Sequence, residues 1–150
     1  MQNIDQLKET IKGILDSQKL AVLATNGNGK PYGSLVAFAA TADMKTILFA
    51  TMRATRKYAN LLTDPGVALV IDTRTNQPGD FSDAAAITVL GEVEAVTGHK
   101  RQEFVEIYLD KHHYLKEFVE SPATALLRVR VKTYIMVSRF QNVQELHMSE

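Results

Sequence analysis

The chain has 150 residues and no cysteine. Disulfides, thiolate metal sites and thiol nucleophiles are therefore excluded. It has no excess of charge: 17 Lys and Arg balance 17 Asp and Glu, for a formal net charge of +0. A dedicated nucleic-acid binder normally carries a basic excess, so that class is disfavoured. No apolar run exceeds strand length, so none is long enough to cross a membrane as a helix. Met1 to Asp5 lacks the charged n-region and apolar h-region of a signal peptide. The expectation is a cytoplasmic protein. Two phosphate-binding signatures are also missing. No GxGxxG occurs, and Gly29-Lys30 is followed by Pro31 where a Walker loop needs Ser or Thr. The length predicts one domain, able to bury roughly 70% of its unfolded surface without a staple.

The most informative stretch is Thr46 to Asp72, TILFATMRATRKYANLLTDPGVALVID. Ile47–Ala50 and Val67–Ile71 read as strands, and Tyr58, Leu61 and Leu62 between them follow the spacing of a short helix. Asp64-Pro65-Gly66 stops that helix and turns the chain. Thr55 is a good N-cap, which makes Arg56 and Lys57 the first helical residues. Cations there oppose the positive end of the helix dipole. Arg53, Arg56 and Lys57 around free backbone N–H groups make sense if an anion, most naturally a phosphate, sits among them. A solvated basic turn is the alternative reading of the same residues.

The rest of the chain follows in order. Ile4, Leu7, Ile11, Ile14 and Leu15 share one helical face, with Asn3 or Asp5 as cap and Gly13 as a mild weakness. Leu20–Thr25 reads as a strand, Asn26-Gly27-Asn28-Gly29 as a tight hairpin turn, and Pro31–Ala40 as a return strand apolar on both faces and so covered on both. Asp43-Met44-Lys45 makes a second turn, and Thr73–Asp83 a long surface loop without periodicity. Ala84–Val96 alternates, with Ile87, Val89, Val93 and Ala95 on one side and Thr88, Glu92 and Glu94 on the other; Gly91 predicts a bulge or a close backbone approach. Thr97-Gly98 opens a helix with Phe104, Val105, Tyr108 and Leu109 on its apolar face. A second short helix carries Tyr114, Leu115, Phe118 and Val119, and Ser121-Pro122 ends it. Ala125–Lys132 alternates, with Leu127, Val129 and Val131 inward; Tyr134–Phe140 reads as a separate last strand, and the tail to Glu150 as loosely held. Six or seven hairpin-linked strands favour an antiparallel sheet closed into a barrel with flanking helices.

Side chains suited to chemistry are few. His112 and His113 are adjacent, so on a helix they diverge and cannot chelate one ion; a packing or solvated role fits them better. His99 and His147 have no evident partner. Ser17, Ser34 and Ser82 lack a nucleophile elbow. Asp80 and Asp83 can be read as a carboxylate pair, but a loop of this composition is more often merely soluble. Hydrolase and metalloenzyme readings, including any metal site, have little support. Chemistry here points to a bound organic cofactor.

Three segments carry a resemblance: GKPYGSLVAFA, ILFATMRATRKYANLLTDPGVALVI and ITVLGEVEAV. In this order they resemble the FMN-binding split-barrel family typified by pyridoxamine 5′-phosphate oxidase, over about Leu20 to Lys132. The most specific piece is a strand, a basic turn with Thr-Arg-Lys, a helix, Asp-Pro and a strand. The resemblance implies a mainly β, six- to seven-stranded antiparallel split barrel. It implies that Arg56 and Lys57 bind the FMN phosphate, with Arg53 and Thr55 beside them. It further implies that Ala50 and Thr51 contact the flavin, and that Ser34, Leu35, Val36 and Ala37 run along the isoalloxazine ring. A homodimer with one flavin in each of two interface clefts is the family's habit.

The departures bear on the substrate. Where vitamin B6 oxidases begin the flavin strand with Arg and end it with Lys, this chain has Ser34 and Ala39, and a flavin-binding Gln aligns with Ala86. The family's C-terminal Trp and Arg are missing, and the chain has no Trp at all. Pyridoxamine phosphate is therefore not the expected substrate. The resemblance implies a small FMN-dependent oxidoreductase of unknown substrate, working with a small-molecule electron donor or acceptor. The alternatives are a non-catalytic flavin carrier or sensor, and a relative that holds deazaflavin or haem. Haem would need His112 or His113 as axial ligand. Strands apolar on both faces add their own argument for a homodimer.

Overall fold

Alternating apolar residues and short polar turns fold this chain into seven antiparallel strands, here in a computed structural model that describes residues 2–139 and 141–149. The strands are β1 Leu20–Gly27, β2 Lys30–Ala40, β3 Thr46–Met52, β4 Gly66–Asp72, β5 Ala85–Ala95, β6 Thr124–Ser138 and β7 Asn142–His147. The helices are α1 Ile4–Ser17, α2 Arg56–Thr63, α3 Asp80–Asp83, α4 Lys100–Lys111 and α5 Lys116–Glu120, with a 3-10 turn at His113–Leu115. The sheet order is β3-β2-β1-β4-β5-β6-β7, and β3 also pairs with β6. That pairing closes six strands into a barrel and leaves β7 as an extra strand on β6, the split-barrel architecture.

Local chemistry explains the elements. Asn3 caps α1 in a capping box: its Oδ1 accepts from Gln6 N at 2.9 Å and its own N–H donates to Gln6 Oε1 at 3.1 Å. α1 then lays Leu7, Ile11, Ile14 and Leu15 against the barrel interior, where Leu23, Phe38, Phe49, Leu69, Ile87 and Val129 are buried. The β1–β2 hairpin turns on Asn28 and Gly29 alone, with φ of 53° and 76°, because both tolerate the left-handed region. β3 is buried from Thr46 to Thr51. Its inner face joins the barrel core, while Leu48 and Ala50 pack outward with Ala39 and Leu126 against α4 and α5.

The bulge predicted at Gly91 is present. The β5–β6 register shifts between Leu90 and Gly91, leaving Lys132 as the extra residue on β6. This changes the parity of β6, with Leu127, Val129 and Val131 buried before it and Tyr134 and Met136 after it. The two expected strands are therefore one, since a one-residue slip in alternation looks like a break in the sequence. Phe140, at the expected end of the second, lies outside the described residues, as does Glu150. The tail is not loose through residue 147: β7 pairs along β6, and Leu146 is buried. Three further expectations change. Leu62 and Ala95 are exposed, and the first half of β2 is open to solvent on one face, with Leu35 62% exposed. The 73–83 loop also contains the short α3.

Candidate functional site

The turn between β3 and α2 is a hydroxyl-built anchor. Thr55 Oγ1 donates to Met52 O at 2.9 Å and accepts from Tyr58 N at 3.2 Å, which makes it the N-cap. Its one proton is thus committed, so the 3.2 Å contact between Thr51 and Thr55 is a bond donated by Thr51. α2 is pulled onto β1 by Asn60, whose Nδ2 donates to Thr25 Oγ1 at 3.2 Å. Gly27 makes room for it: a Cβ there would sit 2.1 Å from Asn60 Oδ1.

Three cations surround the free end of α2. Arg53 donates to Pro122 O at 3.3 Å and to Tyr58 Oη at 3.1 Å. The Arg56 guanidinium lies 5.7 Å from the centre of the Tyr32 ring. Lys57 is half-buried, and burial pushes its ammonium below the usual lysine range. Among the described residues no carboxylate forms an ion pair with Arg53, Arg56 or Lys57. The first N–H groups of α2 precede any intrahelical acceptor. The result is concentrated positive potential with no internal anion.

Beside this turn the barrel is split. β2 and β3 pair at Phe38–Phe49, Ala39–Leu48 and Ala40–Ile47, and no further. Beyond that point Ser34–Ala37 stay on β1, while Ala50–Met52 stay on β6. The two segments singled out in the sequence therefore part with no ladder between them, and Ala37 and Ala50 pack with Tyr108 of α4. Val36 and Thr51 are buried, Ala37 is half-buried and Leu35 is exposed. Ser34 Oγ is buried and has no hydrogen-bond partner among the described residues. Tyr108 reaches between the two segments, where its hydroxyl donates to Ala37 O at 3.0 Å and accepts from the Ala50 backbone. Burial pushes the Tyr108 hydroxyl well up, so it stays protonated. Sequence periodicity marked Tyr108 only as one apolar residue of a helical face, and its polar end was not legible there.

The other candidates are structural in their geometry. His112 is fully buried, and its Nε2–H donates to Phe38 O at 2.7 Å. That bond assigns the tautomer and leaves Nδ1 buried without a partner. His112 is therefore closed off as an axial ligand, while His113 is exposed on the 3-10 turn. Asp80 accepts from Thr75 N, Thr75 Oγ1 and Asn76 N at 2.7–2.9 Å, which ties the 73–83 loop rather than forming a carboxylate pair with Asp83. A cavity of about 680 Å3 lies beneath this loop, lined in part by Arg74, Phe81, Ala86 and Val137. A neighbouring one of about 520 Å3 reaches Leu35 and Val70 and shares Asp72 and Arg74 with it. Among the described residues no three His, Asp or Glu side chains gather as a metal site, and no helix is long and apolar enough to cross a membrane.

Known proteins share this architecture. A heme binding protein from Mycobacterium smegmatis superposes with a TM-score of 0.80 at 18% identity, over 89% of this chain and 55% of that one. General Stress Protein 26 from Bacillus anthracis matches with a TM-score of 0.75 at 21% identity, over 95% of this chain and 99% of the other. A FAD-binding protein from Mesorhizobium loti gives 0.69 at 12% identity, over 86% and 90%. The chain thus spans about half of the first of these and nearly all of the other two. At such identities the likeness is one of fold. No curated protein matches the chain. The family model for pyridoxamine 5′-phosphate oxidase matches residues 7–138, which takes in the barrel strands β1–β6, the cationic turn and the split. The chain belongs to the pyridoxamine 5′-phosphate oxidase family of split barrels.

Proposed function

We propose that this protein binds FMN and works as a small oxidoreductase, with its flavin phosphate on Arg56 and Lys57 and the ring along the split between β2 and β3. The observation that carries the reading is the α2 start: three cations with no carboxylate partner among the described residues, around backbone N–H groups, beside the point where the β2–β3 ladder ends. FMN fits these groups. Arg53, Arg56 and Lys57 supply charge for a phosphate, and Thr55 and Thr51 hold the turn rigid. Ser34, Leu35, Val36, Ala37, Ala50 and Thr51 would lie along the flat ring, and the Ser34 hydroxyl has no partner among the described residues. Bound FMN supplies the redox chemistry, taking electrons from a small-molecule donor and passing them to an acceptor. The protein supplies position, charge and exclusion of water. The reading includes a cytoplasmic setting, as expected from the sequence.

The reading includes a homodimer, with the flavin between protomers. The outward face across β2, β1 and β4 carries Leu35, Val22 and Val70 in one cross-strand row, flanked by Leu20 and Leu90. Leu20, Leu35 and Leu90 are 52%, 62% and 39% exposed. An uncovered apolar sheet face of this kind is what an obligate interface buries.

Titration of FMN and riboflavin tests the cofactor. Each charge-assisted bond to phosphate is worth roughly 1.5–3 kcal/mol. Replacing both Arg56 and Lys57 by Ala should weaken FMN by roughly 3–6 kcal/mol, or a hundredfold to ten-thousandfold. Riboflavin, lacking the phosphate, should bind the parent poorly and ignore the change. Equal FMN affinity in the two proteins would overturn the phosphate assignment.

A further inference from the structure

The split between β2 and β3 has a definite place of origin. Phe38 N–H donates to Lys19 O, on the β1 side of β2. Backbone groups alternate in direction along an antiparallel strand, so those of Ala37 and Ala39 point toward β3. Ala39 is paired with Leu48. Two residues on, Ala37 and Ala50 would form the next hydrogen-bonded pair if the ladder continued. Instead, the Tyr108 hydroxyl sits between them, donating to Ala37 O and accepting from the Ala50 backbone. It satisfies both groups that the missing rung leaves open, and the buried ring holds it there from α4.

We propose that Tyr108 is a wedge, a positioning residue that stops β2 and β3 from zipping together and so sets how far apart the two strands stand at Ala37 and Ala50. The use of this site for a flavin ring rests on the reading above; the wedge itself does not. α4 is well placed to hold it. One turn further on, His112 bonds Phe38 O, and Lys111 Nζ donates to Leu15 O at 2.7 Å. The tyrosine is thereby anchored on both sides of the strand edge it separates. A ring without the hydroxyl would leave Ala37 O and Ala50 N–H unpaired, and a short side chain would let the strands close.

Two variants and two readouts test this. In Tyr108→Leu the wedge is removed. A new amide–amide cross-peak between Ala37 and Ala50, absent in the parent, is expected in the NMR spectrum as the rung forms. In Tyr108→Phe the ring remains and only the bridge is lost. FMN and riboflavin should both weaken on the order of tenfold, because the loss falls on the ring's site and not on the phosphate site. A merely structural tyrosine would lower the melting temperature and leave both affinities unchanged. Strands that stay apart in Tyr108→Leu would overturn the wedge, and unchanged flavin affinities in Tyr108→Phe would overturn the use of this site for the flavin ring. If the rung forms but the parent binds no flavin, the wedge stands and the flavin reading falls. If Tyr108→Leu does not fold, Tyr108→Met, which keeps more of the buried volume, takes its place in the same NMR experiment.

Discussion

Gly91 and Gly27 are both glycines by exclusion of a Cβ, yet they predict different outcomes. A Cβ on Gly91 would lie 2.2 Å from the Arg130 carbonyl oxygen and 2.8 Å from the Val129 side chain. Backbone cannot give way without opening the bulge, so Gly91→Ala should destabilise by about 1–3 kcal/mol or more. A Cβ on Gly27 meets only the end of Asn60, a side chain that can swing away at the loss of its bond to Thr25. Gly27→Ala should therefore cost about 1 kcal/mol, the value of one hydrogen bond. Urea midpoints of the two variants, compared with the parent, decide this, and equal shifts would contradict it. The Gly91 bulge was legible in the sequence as a glycine inside an alternating strand. The tight fit at Gly27 was not, because Asn60 lies 33 positions away and comes close only once α2 docks on β1.

α4 is the element whose role changes most once it is packed. Its apolar side closes the outer cluster with Phe104, Val105 and Tyr108, as spacing predicts. Its polar groups Tyr108 Oη, Lys111 Nζ and His112 Nε2 all end on backbone carbonyls of β2 or α1. Burial holds the His112 pKa below its ordinary value, and Lys111 and Lys19 push it the same way; the Phe38 bond opposes them. Burial also pushes Lys111 down to about 8, with Asp16 opposing. The linkage sign follows. A histidine whose folded pKa is depressed binds fewer protons than in the unfolded chain, so stability rises with pH across that window. This contribution is complete above about pH 6.5, the unfolded value, and is lost as pH falls through the folded pKa. His112→Gln retains an N–H donor for Phe38 O and does not titrate. The parent should lose more melting temperature than His112→Gln between pH 7 and pH 5. Parallel curves would remove His112 as the titrating group.

The whole molecule is a closed barrel with one apolar sheet face uncovered, and the proposed dimer rests on that face. Light scattering at micromolar concentration should give the mass of a dimer. Placing a charge in the apolar row, as in Leu35→Glu with Val70→Glu, should yield a folded monomer. Both side chains point outward, so the interior core keeps its contacts. A parent that is monomeric at this concentration would count against both the interface and a flavin shared across it. The same face explains why the sequence reading of β2 was half right. Apolar residues on both sides of a strand do demand cover, but α4 supplies it only near Ala39, and Leu35 is left for something else to bury.

The first five strands, their order, the α2 cap and the cationic turn were readable from the chain. They rest on local chemistry: a two-residue period, turn residues that tolerate positive φ, and a hydroxyl at a helix start. The joining of two apparent strands into β6 was not readable, because a bulge inverts the alternation that periodicity relies on. Nor was β7, whose inward residues make sense only beside β6. The split is the clearest case. Ser34–Ala37 and Ala50–Thr51 are ordinary strand residues in the sequence, and nothing local separates them. They part because a tyrosine from a third element, 58 positions beyond Ala50, occupies the place of one rung. Contacts between distant segments have no local signature, so the split belongs to the packed molecule and the charge beside it to the chain.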